Sequence, residues 1–139
     1  MIRKLFIALI FATVYAFYTP AQADFSFYNE EWYAGPHCDS LGGTFQVKYD
    51  NKFVDCVTND YVIEYELAYN WRNAIGHALA VASEKRKPAR IVLIIRGPGD
   101  NDKVEDLQYV IDHHGLDIQV STITRIQIIN LMCTLYNRC

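Results

Sequence analysis

Asp55, Glu64 and Glu66 are the residues of this sequence whose types and spacing best fit a shared chemistry. The segment reads Lys52-Phe-Val-Asp-Cys-Val-Thr58, then Asn59-Asp60, then Tyr61-Val-Ile-Glu-Tyr-Glu-Leu67. Both arms are rich in β-branched and aromatic residues, and Asn-Asp suits a tight turn between two strands. A turn centred on Asn59 and Asp60 pairs Thr58 with Tyr61 and sets Asp55 opposite Glu64. Opposed side chains on antiparallel strands lie about 5 Å apart at Cβ, and like charges there repel. Glu66 returns to the same face because a strand alternates with period 2. Phe53, Val57 and Val62 share that face and favour partial burial, which raises carboxyl pKa values unless a cation binds. Three carboxylates gathered in this way need a proton, open water or a cation. A divalent metal is the chemically productive option, and a solvated hairpin face is the alternative.

His77 follows on a predicted helix, sharing a face with Asn70 and Asn73. Its ordinary role is a hydrogen bond to a neighbour; a role as metal ligand or proton shuttle requires the carboxylate pocket to exist. His113-His114 falls at a helix end, where a cation complements the dipole, and His37 carries no distinguishing signal. Trp71 reads as core packing rather than as a stacking platform.

The elements that position these residues follow from periodicity and punctuation. The stretch from Phe25 to about Cys38 is aromatic-rich and predicts a short helix ending near Gly35-Pro36, with a turn at Gly42-Gly43. Thr44–Tyr49 alternates as a strand, and Asp50-Asn51 turns the chain into the carboxylate hairpin. Asn70 to about Glu84 predicts a helix with Asn70 as N-cap and Trp71, Ala74, Ile75, Ala78, Leu79 and Ala82 as its apolar stripe. Pro88 blocks its continuation. Arg90–Arg96 is a continuous apolar run, as in a central strand covered on both faces. A helix from Asp102 to about His114 stops at Gly115. A strand over Leu116–Ile123 follows, then a closing helix from Arg125 to Leu135 with Ile126, Ile129, Met132 and Cys133 inward. The order α-β-β-β-α-β-α-β plus a C-terminal helix predicts an α/β (α+β) fold, a mixed sheet flanked by helices.

Residues 1–23 read as a secretory signal rather than as fold. Arg3 and Lys4 precede an apolar run from Leu5 to Phe17, which is short for a span of about 20 residues, and Ala21-Gln22-Ala23 offers a small-x-small cleavage site. The expected organisation is a signal peptide over 1–23 and a single domain over 24–139, secreted or periplasmic, with no membrane association after cleavage. Cys38, Cys56, Cys133 and Cys139 make an even count, which in an exported chain favours two disulfides with three connectivities open. At least one bridge is expected to pin the C-terminal segment to the body. Zinc competes poorly, since there is no Cys-x-x-Cys pair. The formal charge of −3 becomes two units more negative on loss of Arg3 and Lys4, so a polyanion would need a local basic patch. Lys85-Arg86-Lys87 with Arg90 is the linear candidate, although such cations commonly close a helix C-terminus.

The order of elements, with an acid in the second strand and Glu-x-acid in the third, resembles the PD-(D/E)XK nuclease superfamily. The similarity extends to Trp32-Tyr33, Cys38, Gly42-Gly43, Val54-Asp55-Cys56, Thr58-Asn59, Ile63-Glu64-Tyr65-Glu66, Asn70-Trp71 and Ala74-Ile75-Gly76-His77-Ala78-Leu79. Lys87-Pro88-Ala-Arg-Ile-Val-Leu and His114-Gly115-Leu116 add to it, so Trp32 to Ile123 is covered. The resemblance implies a restriction-endonuclease-like core and metal-dependent hydrolysis of DNA or RNA phosphodiesters with Mg2+ or Mn2+. It implies that Asp55 and Glu64 hold the metal, with Glu31 or its neighbour Glu30 as the additional acid, and that His77 lies near the active site. Glu66 stands at the position of the motif lysine, Asn70 replaces a lysine before tryptophan, and Phe53 replaces an arginine. These departures leave a second expectation, a catalytically degenerate secreted module that recognises a protein partner.

Overall fold

The computed structural model describes residues 29–49, 52–137 and 139. The predicted signal peptide and the Asp50-Asn51 turn lie outside them. The five strands predicted from periodicity form one sheet, with helices on both faces. The chain runs α1 (Glu30–Ser40), β1 (Thr44–Tyr49), β2 (Lys52–Val57), β3 (Val62–Leu67), α2 (Trp71–Lys85), β4 (Ala89–Ile95), α3 (Asn101–His114), β5 (Ile118–Thr124) and α4 (Arg125–Tyr136). Strand order is β1-β2-β3-β4-β5. The β1–β2 and β2–β3 pairs are antiparallel, and β3–β4 and β4–β5 are parallel. This is the mixed α/β sheet that the sequence predicts.

β4 explains why the layers are three. Ile91 and Leu93 face the core beneath α2 and α3, while Val92 and Ile94 face the core beneath α1 and α4. All four are fully buried, and each such side chain contributes about 1.5–3 kcal/mol of transfer free energy. A strand apolar on both sides has no solvated face to offer, so helices must cover both.

α1 extends beyond its predicted end. Asn29 caps it, its side chain accepting from the Trp32 N–H at 3.1 Å, and the helix runs through Gly35-Pro36 to Ser40. Proline inside a helix costs about 3 kcal/mol, here offset by burial of Tyr33, Ala34 and Cys38 and by the Cys38–Cys56 disulfide that ties α1 to β2. The second disulfide joins Cys133 to Cys139. That bridge therefore closes the C-terminal segment on itself rather than pinning it to the body. Two disulfides are compatible with an oxidising compartment, and no described helix is long and apolar enough to cross a membrane.

The face of α4 also differs from expectation. Thr124 caps it reciprocally with Gln127, whose side chain accepts from the Thr124 N–H at 2.7 Å. That box sets the helix phase so that Ile128, Leu131 and Met132 pack inward, leaving Ile126 72% exposed. Asn70 makes no side-chain cap on α2, because its amide turns to Glu66 instead. Lys87, expected near the helix dipole, donates to the carbonyls of Thr58 and Asn59 at 2.5 and 2.9 Å, fastening the β2–β3 turn.

Gly43 is sterically obliged. A Cβ there would lie 2.6 Å from Cys56 Sγ and 2.7 Å from Cys38 Sγ, and bridged sulfurs have no alternative rotamer to adopt. Gly43→Ala is expected to destabilise by about 1–3 kcal/mol. Gly76→Ala, in open space within α2, should stabilise by up to about 1 kcal/mol. Urea denaturation of the two variants checks the contrast; equal midpoints would contradict it.

Candidate functional site

The site begins where the ladder fails. β2 and β3 pair at Val57↔Val62 and Cys56↔Ile63, in the register predicted from the hairpin, and stop one pair short of Asp55 and Glu64. Hydrogen-bonded pairs alternate along an antiparallel ladder, so the Tyr65 N–H would next meet the carbonyl of Val54. It donates instead to Oδ2 of Asp55 at 2.9 Å. On the other side of β2 the β1–β2 ladder skips the pair of Gln46 and Asp55, and Gln46 takes a left-handed backbone with φ of 50°. Inward positions change face across this defect. Phe45 and Cys56 pack toward α1, whereas Val47, Tyr49 and Val54 pack toward α2. Phe53, expected to share burial with the carboxylates, lies in neither core.

Four carboxyls meet beside this opening. Glu64 and Glu66 come from β3, Asp55 from β2, and Glu30 from the first turn of α1. Glu30 Oε1 accepts from the Leu67 N–H at 3.3 Å, and Glu66 Oε1 accepts from the same N–H at 3.1 Å. Glu66 is buried, only 8% exposed, against Glu30 and Asn70. Glu31, the other acid of the first turn, is exposed and accepts from Gln46 Nε2 at 3.0 Å. Its charge is a lesser neighbour of Asp55 than that of Glu30. Glu30 is thus the acid of the pair that reaches the strand carboxyls. His77 on α2 places Nδ1 3.1 Å from Glu64 Oε1; the histidine side chain is 65% exposed and that of Glu64 12%.

Burial dominates the electrostatics. It pushes Glu64 up to about 8, with the charges of Asp55, Glu66 and Glu30 adding to the rise. Glu66 rises to about 7, first from burial and then from Glu30, against the opposing pull of Asn70 and the Leu67 N–H. Asp55 is also raised by burial, although the Tyr65 N–H bond counteracts it. A set of carboxylate oxygens is the donor chemistry that a hard cation such as Mg2+ or Mn2+ selects. As the side chains stand, no three His, Cys, Asp or Glu among the described residues close around a common ion position. Glu64 is turned to His77, and Asp55 and Glu66 to backbone N–H groups.

Two contributors had no signal in the linear sequence. Tyr65 is held from the far side of the sheet, where its hydroxyl meets His37 Nδ1 at 2.8 Å; burial lowers the pKa of His37, and Arg90 lowers it further. Lys52 lines a cavity together with Glu64 and His77, a cationic residue that the hairpin pattern does not single out.

Among curated proteins, the chain is similar to KilA-N domain-containing protein L32 of Acanthamoeba polyphaga mimivirus. The two are 25% identical over 79 residues, 57% of this chain and 21% of that protein. The chain spans about a fifth of the length of this relative. No family model matches the sequence, and no solved structure matches the fold.

The raised carboxyls define a pH signature. Folded Glu64 keeps its proton up to about 8, whereas an ordinary glutamate loses it near 4.5. Folding therefore takes up a proton between those values, and stability falls as pH rises through the window. The midpoint of thermal unfolding, Tm, should drop between about pH 5 and pH 8, and Glu64→Gln should flatten that slope. A wild-type Tm that holds level or climbs across the same range would contradict the assignment.

Proposed function

We propose that this chain is an exported, PD-(D/E)XK-like protein whose acidic opening takes Mg2+ or Mn2+ and hydrolyses nucleic-acid phosphodiesters. The observation that carries the reading is the convergence of Asp55, Glu64, Glu66 and Glu30, with burial holding Glu64 near 8 and Glu66 near 7. Negative charge collected in a partly desolvated place is unstable alone and favours a cation. The KilA-N name of the viral relative fits a nucleic-acid partner, and the two disulfides fit export.

Asp55 and Glu64 would hold the ion, with Glu30 completing its shell. A bound divalent ion would supply a water of lowered pKa and stabilise charge on the phosphate. The protein's own part is positioning. The Tyr65 N–H orients Asp55, and the His77 ring turns Glu64. Glu66 accepts from the Leu67 N–H and keeps the negative charge close.

Glu66 also favours a second reading. At the position of the motif lysine the structure has a buried carboxyl held by Leu67, Glu30 and Asn70, which suits a degenerate module that binds a protein partner without catalysis.

Calorimetric titration with Mn2+ near pH 8 separates the two. Wild-type protein should bind, Glu64→Ala should bind at least about ten-fold more weakly, and Asp55→Ala should lose metal-dependent cleavage of plasmid DNA or RNA by about 100-fold or more. Folded protein that neither binds Mn2+ nor cleaves would overturn the nuclease reading in favour of the binding module.

A further inference from the structure

Beside the carboxylates lies a cavity of about 370 Å³ lined by Lys52, Phe53, Glu64, His77, Ala80 and Val81. Glu64 and His77 connect it to the acidic opening. The remaining wall is apolar apart from Lys52. Its size falls in the lower part of the about 300–1,000 Å³ range of small-ligand sites, the scale of one nucleotide rather than of a duplex.

Phe53 needs an explanation that the fold does not supply. It is 60% exposed and belongs to neither hydrophobic core, on a strand whose neighbouring Val54 is fully buried. The ribbon that carries it is basic. Lys48 pairs with Phe53 and Lys52 with Tyr49, while Lys85 from α2 sets its Nζ 4.3 Å from the centroid of the Tyr49 ring. Lys48, Lys52 and, from a distant segment, Lys85 thus lie toward one end of the β1–β2 ribbon, on a chain of net charge −3. A cationic fringe with an exposed aromatic ring, bordering a carboxylate opening, complements a strand whose phosphates and bases alternate.

We propose that this cavity holds one unpaired nucleotide next to the cleaved phosphate, with Phe53 stacking on the base and Lys52 taking a backbone phosphate. The substrate is then a single strand of DNA or RNA. The assignment rests on reading the acidic opening as the phosphodiester site and adds the form of nucleic acid it accepts. A duplex presents no free base face to Phe53.

The test measures binding separately from cleavage. Fluorescence anisotropy of a short labelled oligothymidylate, with metal withheld, should show at least about ten-fold tighter binding than the blunt duplex of the same sequence. Phe53→Ala should weaken single-strand binding by about ten-fold or more, Phe53→Trp should retain it, and Lys52→Ala should weaken it while reducing its salt dependence. Thermal melts confirm that each variant is folded. Equal affinity for duplex and single strand, or undiminished binding by folded Phe53→Ala, overturns the proposal. Self-association that disappears in Phe53→Ala, without oligonucleotide binding, overturns it in favour of a contact between copies. Mn2+-dependent cleavage that persists without Phe53-dependent binding removes the subsite and leaves the nuclease reading standing. Phe53-dependent binding without Mn2+ affinity or cleavage supports the subsite and removes the nuclease reading.

Discussion

The hydrogen bond from the Tyr65 N–H to the Asp55 carboxylate is the constraint on which the site depends. It occupies the place where a ladder bond would otherwise join β2 to β3. Because that N–H is satisfied by a side chain, the strands separate without leaving a buried donor unpaired, and the separation makes the opening that Glu64 and Glu66 border. Gln46 completes the defect on the β1 side by adopting a left-handed backbone, and the ribbon beyond it turns its apolar residues toward α2. One displaced hydrogen bond thus decides both where carboxyls collect and where the β1–β2 ribbon points.

Tyr65 can serve this role because it is fixed from the opposite layer. Its ring is buried, and its hydroxyl meets His37 on α1, a helix tethered to β2 by the Cys38–Cys56 bridge. α1 also delivers Glu30 to the end of β3. The disulfide and the helix therefore act on the site from behind the sheet, and the close approach at Gly43 belongs to the same arrangement. Pro36 is tolerated within α1 because tertiary contacts, not helix propensity, hold this segment in place.

Charge is distributed with a purpose that its total conceals. The acids converge in a partly buried place, where their mutual repulsion and desolvation favour protonation or a cation. Lys52 lines the cavity that Glu64 borders, and Lys48 and Lys85 lie toward the same end of the β1–β2 ribbon. A net charge of −3 argues against a polyanion partner only if charge is spread evenly, and here it is not.

The sequence by itself determined the architecture. The doubly apolar run of β4, the stripe of α2, the Gly115 stop and the Asn59-Asp60 turn are local patterns of period 2 or 3.6, and they suffice for element order, mixed-sheet class and the register that brings Asp55 to Glu64. Only the tertiary structure decided what crosses between elements. Which first-turn acid reaches the strands, which cysteines pair, that Asn70 serves Glu66 rather than its helix, that Lys52 and Phe53 line one cavity with Glu64, and that Lys85 reaches Tyr49 all depend on contacts between segments remote in sequence. Those contacts are selected by packing geometry and by the need to satisfy each buried polar group, and neither leaves a periodic trace along the chain.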